Sequence, residues 1–316
     1  MIQIFKKAHS KQGSSNLLSL KKPVPGCWIN VSSPTAEEIE EIEETYGIKA
    51  YLINELLDSD SLPRIEREME KDLSFVLVKV PCHLEDNHVI TVPFGIVFLP
   101  KKKYVFTICL NEVDFIGKIV GKPPKKFSTE NYSVFFYFLM KKITISYMRE
   151  LNVIENEIIN VEQSIKKTIK NKEVLLLLSI QKTLVYFRTA LVGNKTVLSK
   201  LAPSKIFHLD SEGKDLLSES MLDVNEAQQL VSIYSEIITN MMSAYSSIIS
   251  NNFNSILRFL ALVTIAISIP TMIGSFYGMN VDLPFQKDPI IFYVLIFIAI
   301  LSTGLSLLYF KKRGLI

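Results

Sequence analysis

The 316-residue sequence predicts an α+β domain, then a long helical stalk, then two C-terminal transmembrane helices. Three observations carry this. Two uncharged apolar runs, Phe259 to Phe276 and Pro289 to Phe310, each reach the length of about 18 residues that a helix needs to cross a hydrocarbon core. From about Tyr132 onward proline and glycine nearly vanish, and apolar residues recur at helical spacing. Before about residue 125, by contrast, runs rich in β-branched and aromatic residues alternate with turn formers.

Taken in order, Met1 to Leu20 mixes Lys6, Lys7 and Lys11 with polar residues and has no continuous apolar core of a signal peptide. The first domain is therefore expected in the cytosol. A helix is predicted from Pro34-Thr35-Ala36-Glu37-Glu38, with Thr35 or Ser33 as its cap, to Tyr46, where Gly47 can end it. Strands are predicted over Leu73 to Val80, Val89 to Leu99 and Tyr104 to Leu110. A small sheet with covering helices accounts for residues 1–130.

Residues 131–210 read as a long helical hairpin. Its first arm carries Leu151, Ile154, Ile158, Val161 and Ile165 on one face. The second runs from Glu173 to about Leu201, with Leu175 to Leu178 expected in the core and Pro203 closing the hairpin. A third helical pattern starts near Ser211 and meets no proline until Pro270. It is expected to run as a cytosolic stalk over 211–252 and as a first transmembrane helix over 253–280, a rod of about 90 Å for roughly 60 residues. An outer loop (281–288), a second transmembrane helix (289–310) and a basic tail (311–316) complete the chain. Lys311, Lys312 and Arg313 outweigh Asp282, Lys287 and Asp288 in positive charge, so both termini are expected on the cytosolic side of the cell membrane.

Composition removes several functions. Hydrophobic residues make up 48% of the chain and the net charge is only +3, with basic residues interspersed among acids, so nucleic acid is not an expected partner. Cys27, Cys82 and Cys109 form no C-x-x-C pair and read as buried thiols in a reducing compartment. His9, His83, His88 and His208 make no metal-ligand motif; Cys82-His83 with His88 is the nearest approach to zinc spacing, and a strand-end loop explains it more simply. No phosphate-cradling loop and no nucleophile with its base can be found, so neither an enzyme nor an organic cofactor is expected.

Counting back from Gly278 in alternating steps of three and four gives Ser275, Thr271, Ser268, Thr264, Ala261, Leu257 and Asn254. The same register continues through Ser250, Ser247, Ser243 and Asn240. Close helix packing is the ordinary account of small residues in a membrane span. Continuation of hydroxyls and amides beyond the apolar run favours a hydrated pore instead, with Leu257 and nearby Leu260 as a hydrophobic constriction. Two helices cannot surround a pore, so a homo-oligomer is expected.

Tyr277-Gly278-Met279-Asn280, at the end of one span and before a short loop and a last span, resembles the CorA family of divalent-cation transporters. Asp58-Ser59-Asp60 followed by Pro63-Arg64-Ile65-Glu66 is similar to the family's segment before its strands, so the resemblance covers nearly the whole chain. It implies a funnel-shaped homopentamer in membrane lipid that passes hydrated Mg²⁺, with Co²⁺ or Ni²⁺ as substitutes. Gly278, Met279 and Asn280 would form the ion-selecting mouth, where a ring of Asn280 amide oxygens hydrogen-bonds the hydration shell that Mg²⁺ gives up reluctantly. Gly278 would permit close chain approach or an unusual turn, and Met279 would pack behind it. The loop Val281 to Asp288 lacks the family's Met-Pro-Glu segment; Asp282 or Asp288 either replaces its charge or is simply solvated.

The resemblance also implies cytosolic Mg²⁺ as a regulatory ligand. Asp215, Glu219, Asp223 and Glu226 share one helix face and are the candidate ligands, with Asp58 and Asp60 of a neighbouring subunit opposite. Only Lys214 is close in sequence, so these carboxylates are expected to repel one another; an ordinary solvated face is the competing account. A Zn²⁺ transporter of the same superfamily is the alternative within transport, against which Met279 argues. A membrane-anchored helical scaffold is the alternative from another class.

Overall fold

The computed structural model describes residues 1–7, 17–68, 73–84, 89–124, 127–165, 171–201, 211–281, 283–285 and 288–312. Along the chain the elements are β1 (Ile2–Lys7), β2 (Leu17–Leu20), β3 (Trp28–Ser32), α1 (Ala36–Tyr46), α2 (Ala50–Leu57), β4 (Arg64–Glu68), β5 (Leu73–His83), β6 (Val89–Leu99) and β7 (Tyr104–Cys109). Helices follow: α3 (Asp114–Gly121), α4 (Tyr132–Ile165), α5 (Asn171–Leu201), α6 (Ser211–Tyr277) and α7 (Ile290–Lys312). The chain divides into two units, Met1–Thr239 and Asn240–Ile316.

In the first unit the strands form one mixed sheet in the order β2-β1-β3-β7-β6-β5-β4. Among the described residues only β3 and β7 pair in parallel, with Trp28 opposite Val105 and Ser32 opposite Cys109. The three predicted strands lie at β5, β6 and β7, with β5 continuing past Val80 to His83. Four further strands extend the sheet to seven.

Both faces of the central strands are buried. On one face Ile29, Val31, Val97, Phe106 and Ile108 pack with Ile42 of α1 and Leu52, Ile53 and Leu56 of α2. On the other, Trp28 meets Phe127 and Phe135 edge-on, with ring centroids 6.0 and 5.5 Å away. The Trp28 indole N–H donates to Thr107 Oγ1 at 2.8 Å, and that hydroxyl donates to Asn30 Oδ1 at 2.8 Å. The buried polar groups of β3 and β7 thus satisfy one another, which removes a desolvation cost of about 1–3 kcal/mol for each group left unmade.

Helix α1 starts at the predicted cap. Thr35 and Glu38 make a reciprocal capping box, and Gly47 ends the helix in the left-handed region at φ 78°. The run Leu175 to Leu178 in α5 is only partly core: Leu177 is buried, while Leu175 and Leu178 are exposed. Successive helical residues turn by about 100°, so four in a row cannot share one face. The face that does pack carries Leu177, Ile180, Leu184, Phe187 and Leu191. Residues 211–239 of α6 bury Val224, Ala227, Val231, Tyr234 and Ile238.

The second unit is the remainder of α6, a short connection, and α7. Helices α5, α6 and α7 are long and apolar enough to cross a membrane. Of these, α5 lends its apolar face to the sheet, while α6 beyond residue 240 and α7 are mostly exposed.

Candidate functional site

The second unit offers two faces of α6 with different chemistry. Leu262 is buried and Ala266, Ile269, Ile273 and Tyr277 are half-buried, in a unit whose other helix is α7, where Ala299 is buried. Ala261, Thr264, Ser268, Thr271 and Ser275 are all exposed, while Gly278 at the end of the register lines a cavity with Phe292 and Leu295 of α7. At 100° per residue the mean directions of the two sets, Gly278 left out, differ by about 160°. The small and polar stripe therefore faces away from the surface that α7 covers. Asn254 and Leu257, further back on the same register, are exposed as well.

Three hydroxyls of that stripe turn their protons inward. Thr264 donates to the Leu260 carbonyl at 2.9 Å, Ser268 to Thr264 at 2.7 Å, and Thr271 to Ile267 at 2.8 Å. A hydroxyl whose single proton is spent on its own helix presents only acceptor lone pairs outward. Such a surface suits the water hydrogens that a hydrated cation points away from itself. Asn254 uses its backbone carbonyl to accept from Arg258 Nε at 3.2 Å.

Helix α6 ends at the tripeptide. The Gly278 N–H donates to the Gly274 carbonyl at 3.0 Å, and the Met279 N–H to Phe276 at 3.4 Å. Gly278 does not take a positive φ. A Cβ at that position would lie 3.2 Å from the Gly274 oxygen of its own preceding turn, a contact tight enough that the backbone would have to give by a few tenths of an ångström. Met279 and Asn280 are exposed on the single chain. The Tyr277 hydroxyl donates to the Pro284 carbonyl at 3.4 Å and tethers the connection.

Asp288 has a local role: its carboxylate accepts from the Ile290 N–H at 2.9 Å, in the first turn of α7. Asp282 and Lys287 lie outside the described residues.

The acids proposed as a regulatory site do not stand without a cation. Lys141 of α4 forms an ion pair with Glu219, a partner 78 residues away that no local pattern announces. Asp223 is half-buried; burial raises its carboxyl above the usual range, Glu219 and Glu226 add to the rise, and Lys141 opposes it. Asp215 and Glu226 are exposed. The Asp58 carboxylate accepts from the Asp60 N–H at 3.0 Å, a local turn. Oxygen-only donors suit a hard divalent ion, yet no three acidic, histidine or cysteine side chains among the described residues of one chain converge to hold one. Cys27, Cys82 and Cys109 are buried and free, and His9, His88 and His208 lie outside the described residues.

Comparison with known proteins places this architecture. The family described as CorA-like Mg2+ transporter protein matches residues 26–312. The Cobalt/magnesium transport protein CorA of Methanocaldococcus jannaschii is 26% identical over 292 residues, covering 91% of this chain and 90% of that one. The Magnesium transport protein CorA of Helicobacter pylori is 24% identical over 302 residues, with the same shares covered. Among solved structures, the complete CorA magnesium transporter of M. jannaschii superposes with a TM-score of 0.83 at 22% identity, covering 100% of this chain and 99% of that one. The ZntB cytoplasmic domain of Vibrio parahaemolyticus superposes at 0.59 and 10% identity over 80% of this chain and 97% of that one, a likeness of fold alone. A match that runs from just before β3 of the sheet through the hairpin that turns at Gly278-Met279-Asn280 makes the chain a member of the CorA-like Mg²⁺ transporter family.

Proposed function

We propose that the chain assembles as a homopentameric Mg²⁺ channel in which the stripe from Asn254 to Ser275 lines the pathway and Asn280 rings its outer mouth. The observation that carries this reading is the division of α6: hydroxyls with spent protons on one face, and the surface covered by α7 on the opposite face. Acceptor groups spaced along the path can exchange with outer-sphere water without stripping the ion, which matters for a cation that dehydrates as reluctantly as Mg²⁺. Leu257 would be the apolar constriction that closes the path. Inward passage of two charges down a cytosol-negative potential releases about 4–5 kcal/mol per 100 mV, so no other energy source is needed.

In this reading the cytosolic ion that closes the pore would draw on Asp215, Asp223 and Glu226 of one subunit and Asp58 and Asp60 of the next. Glu219 would join only by exchanging Lys141. The ion would supply a bridge between subunits whose carboxylates otherwise repel.

The test is flux into liposomes that hold a Mg²⁺-sensitive dye under an inside-negative potential. Wild type is expected to admit Mg²⁺ rapidly, and Asn280→Ala to lose that entry while keeping its oligomeric state. Repetition with Co²⁺ and Zn²⁺ sets the ion class: entry of Zn²⁺ alone would assign the chain to zinc transport, and entry of no ion by a well-folded oligomer would leave a scaffold.

A further inference from the structure

Between residues 237 and 281 the sequence carries a single charged side chain, Arg258. Its Nε donates to the Asn254 carbonyl of its own helix at 3.2 Å, and among the described residues its terminal nitrogens meet no carboxylate. From Arg258 to Tyr277 is 19 residues (277 − 258), about 28 Å of helix, which matches a hydrocarbon thickness of about 30 Å. Arg258 therefore stands at one rim of the hairpin and the tripeptide at the other.

The same rim collects more positive charge. Pro270 and Ala299 line one cavity of about 460 Å³ between α6 and α7. The helices run antiparallel with equal rise, so 12 residues back from Pro270 (270 − 12 = 258) lies level with 12 residues on from Ala299 (299 + 12 = 311). Arg258 is thus level with Lys311, next to Lys312, and all three are exposed. Phe259, one residue nearer the apolar core than Arg258, and Tyr309, two residues nearer than Lys311, are also exposed, where aromatic rings mark a headgroup boundary.

We propose that Arg258, Lys311 and Lys312 form a binding site for the phosphodiester of an anionic phospholipid. The inference rests on the reading that α6 and α7 cross a bilayer. A cation at the edge of hydrocarbon extends toward the headgroup layer, where anionic phosphates offer it a counter-charge. The same rim of a second copy's hairpin offers no carboxylate, because residues 237–281 and 289–316 hold no acid and the hairpin's acids, Asp282 and Asp288, belong to the connection at the other rim. A lipid phosphate reaches this depth by construction, and the forked guanidinium binds phosphate oxygens two at a time, with the lysines adding point charges.

The full-length protein in neutral detergent, titrated with phosphatidylglycerol or phosphatidylcholine and followed by native mass spectrometry, tests the site. Phosphatidylglycerol adducts are expected to exceed phosphatidylcholine adducts at least tenfold, and each neutralised cation to cost about fivefold. Arg258→Gln and the double variant Lys311→Gln/Lys312→Gln are read separately; the lysines end an exposed helix, so the double variant keeps the test decisive if Arg258→Gln fails to fold. Equal retention of the two lipids, or unchanged phosphatidylglycerol retention in the double variant, overturns the proposal. Millimolar inorganic phosphate is expected to leave the lipid bound; complete displacement would make this a site for free anions and overturn the lipid assignment. Lipid retention is read without flux, so failure here leaves the channel reading standing, and loss of flux with lipid preference intact does the reverse.

Discussion

Asn194 of α5 engages both backbone groups of Lys79 in β5: the Lys79 N–H donates to its Oδ1 at 2.9 Å, and its Nδ2 donates to the Lys79 carbonyl at 2.8 Å. The pairing of β4 with β5 stops at Arg64 opposite Leu77, and Lys79 lies two residues beyond, so its groups point to where the strand has ended. The Asn194 amide replaces the missing strand. Asn194 is 1% exposed, so water cannot take its place. Asn194→Leu, nearly equal in size, strands the Lys79 N–H; the carbonyl keeps the Tyr147 hydroxyl at 2.9 Å. A loss of about 2–3 kcal/mol is expected, seen as a lower thermal midpoint.

The residue before it is under a steric constraint. A Cβ on Gly193 would sit 2.5 Å from Cγ of Pro63, in a ring that cannot rotate aside. Gly193→Ala should therefore destabilise the protein, although alanine in an open helix interior would stabilise it by about 1 kcal/mol. Comparison with Gly117→Ala, where a Cβ meets nothing within 4 Å, separates the clash from helix propensity. The two variants should shift the thermal midpoint in opposite directions.

All three thiols should resist chemistry in the folded state. Burial pushes the Cys109 thiol up to about 12 and raises those of Cys27 and Cys82 as well. Because the thiolate is the reactive form, labelling with a thiol reagent at pH 8 should be slow, then rise to three equivalents on denaturation. Fast labelling of the native protein at one site would show that the sheet opens there.

What could be read from the sequence was what is local. Thr35, Glu38 and Gly47 bound α1 through contacts within a turn, so both ends were visible. Long β-branched runs exposed β5, β6 and β7. The strands missed were all short, four to six residues, and two of them carry charges, such as Arg64–Glu68 with the sequence RIERE, which becomes a strand because the neighbouring strand offers partners. The stripe on α6 was legible because a helix repeats it. The Lys141 partner of Glu219 was not, since it comes from a different helix, and a face read as four repelling carboxylates gains a cation.

That correction has a pH consequence at Asp223. Its folded pKa is raised, chiefly by burial, so the folded protein holds this proton more tightly than the unfolded chain does. The favourable contribution is complete below the ordinary aspartate value of about 3.9 and is lost as pH rises through the folded value. Asp223→Asn should consequently raise the thermal midpoint at pH 7, measured in a chelator, with the gain vanishing near pH 3.5. An unchanged midpoint at pH 7 would mean that Lys141 offsets the burial and its neighbours completely.

The two faces of α6 predict opposite behaviours under conservative substitution. Thr264→Val keeps the shape of a side chain on the uncovered stripe and removes its outward acceptor. If ions pass along that stripe, flux should fall several-fold while the thermal midpoint moves little, because the lost bond is made within one exposed turn. Ile269→Ala, on the half-buried face, removes apolar volume from the hairpin and should lower the midpoint. Residual flux per folded protein should then stay near wild type. Flux loss in both variants would mean that the hairpin acts as one mechanical body, and flux loss in Ile269→Ala alone would move the ion path to the other face of the helix.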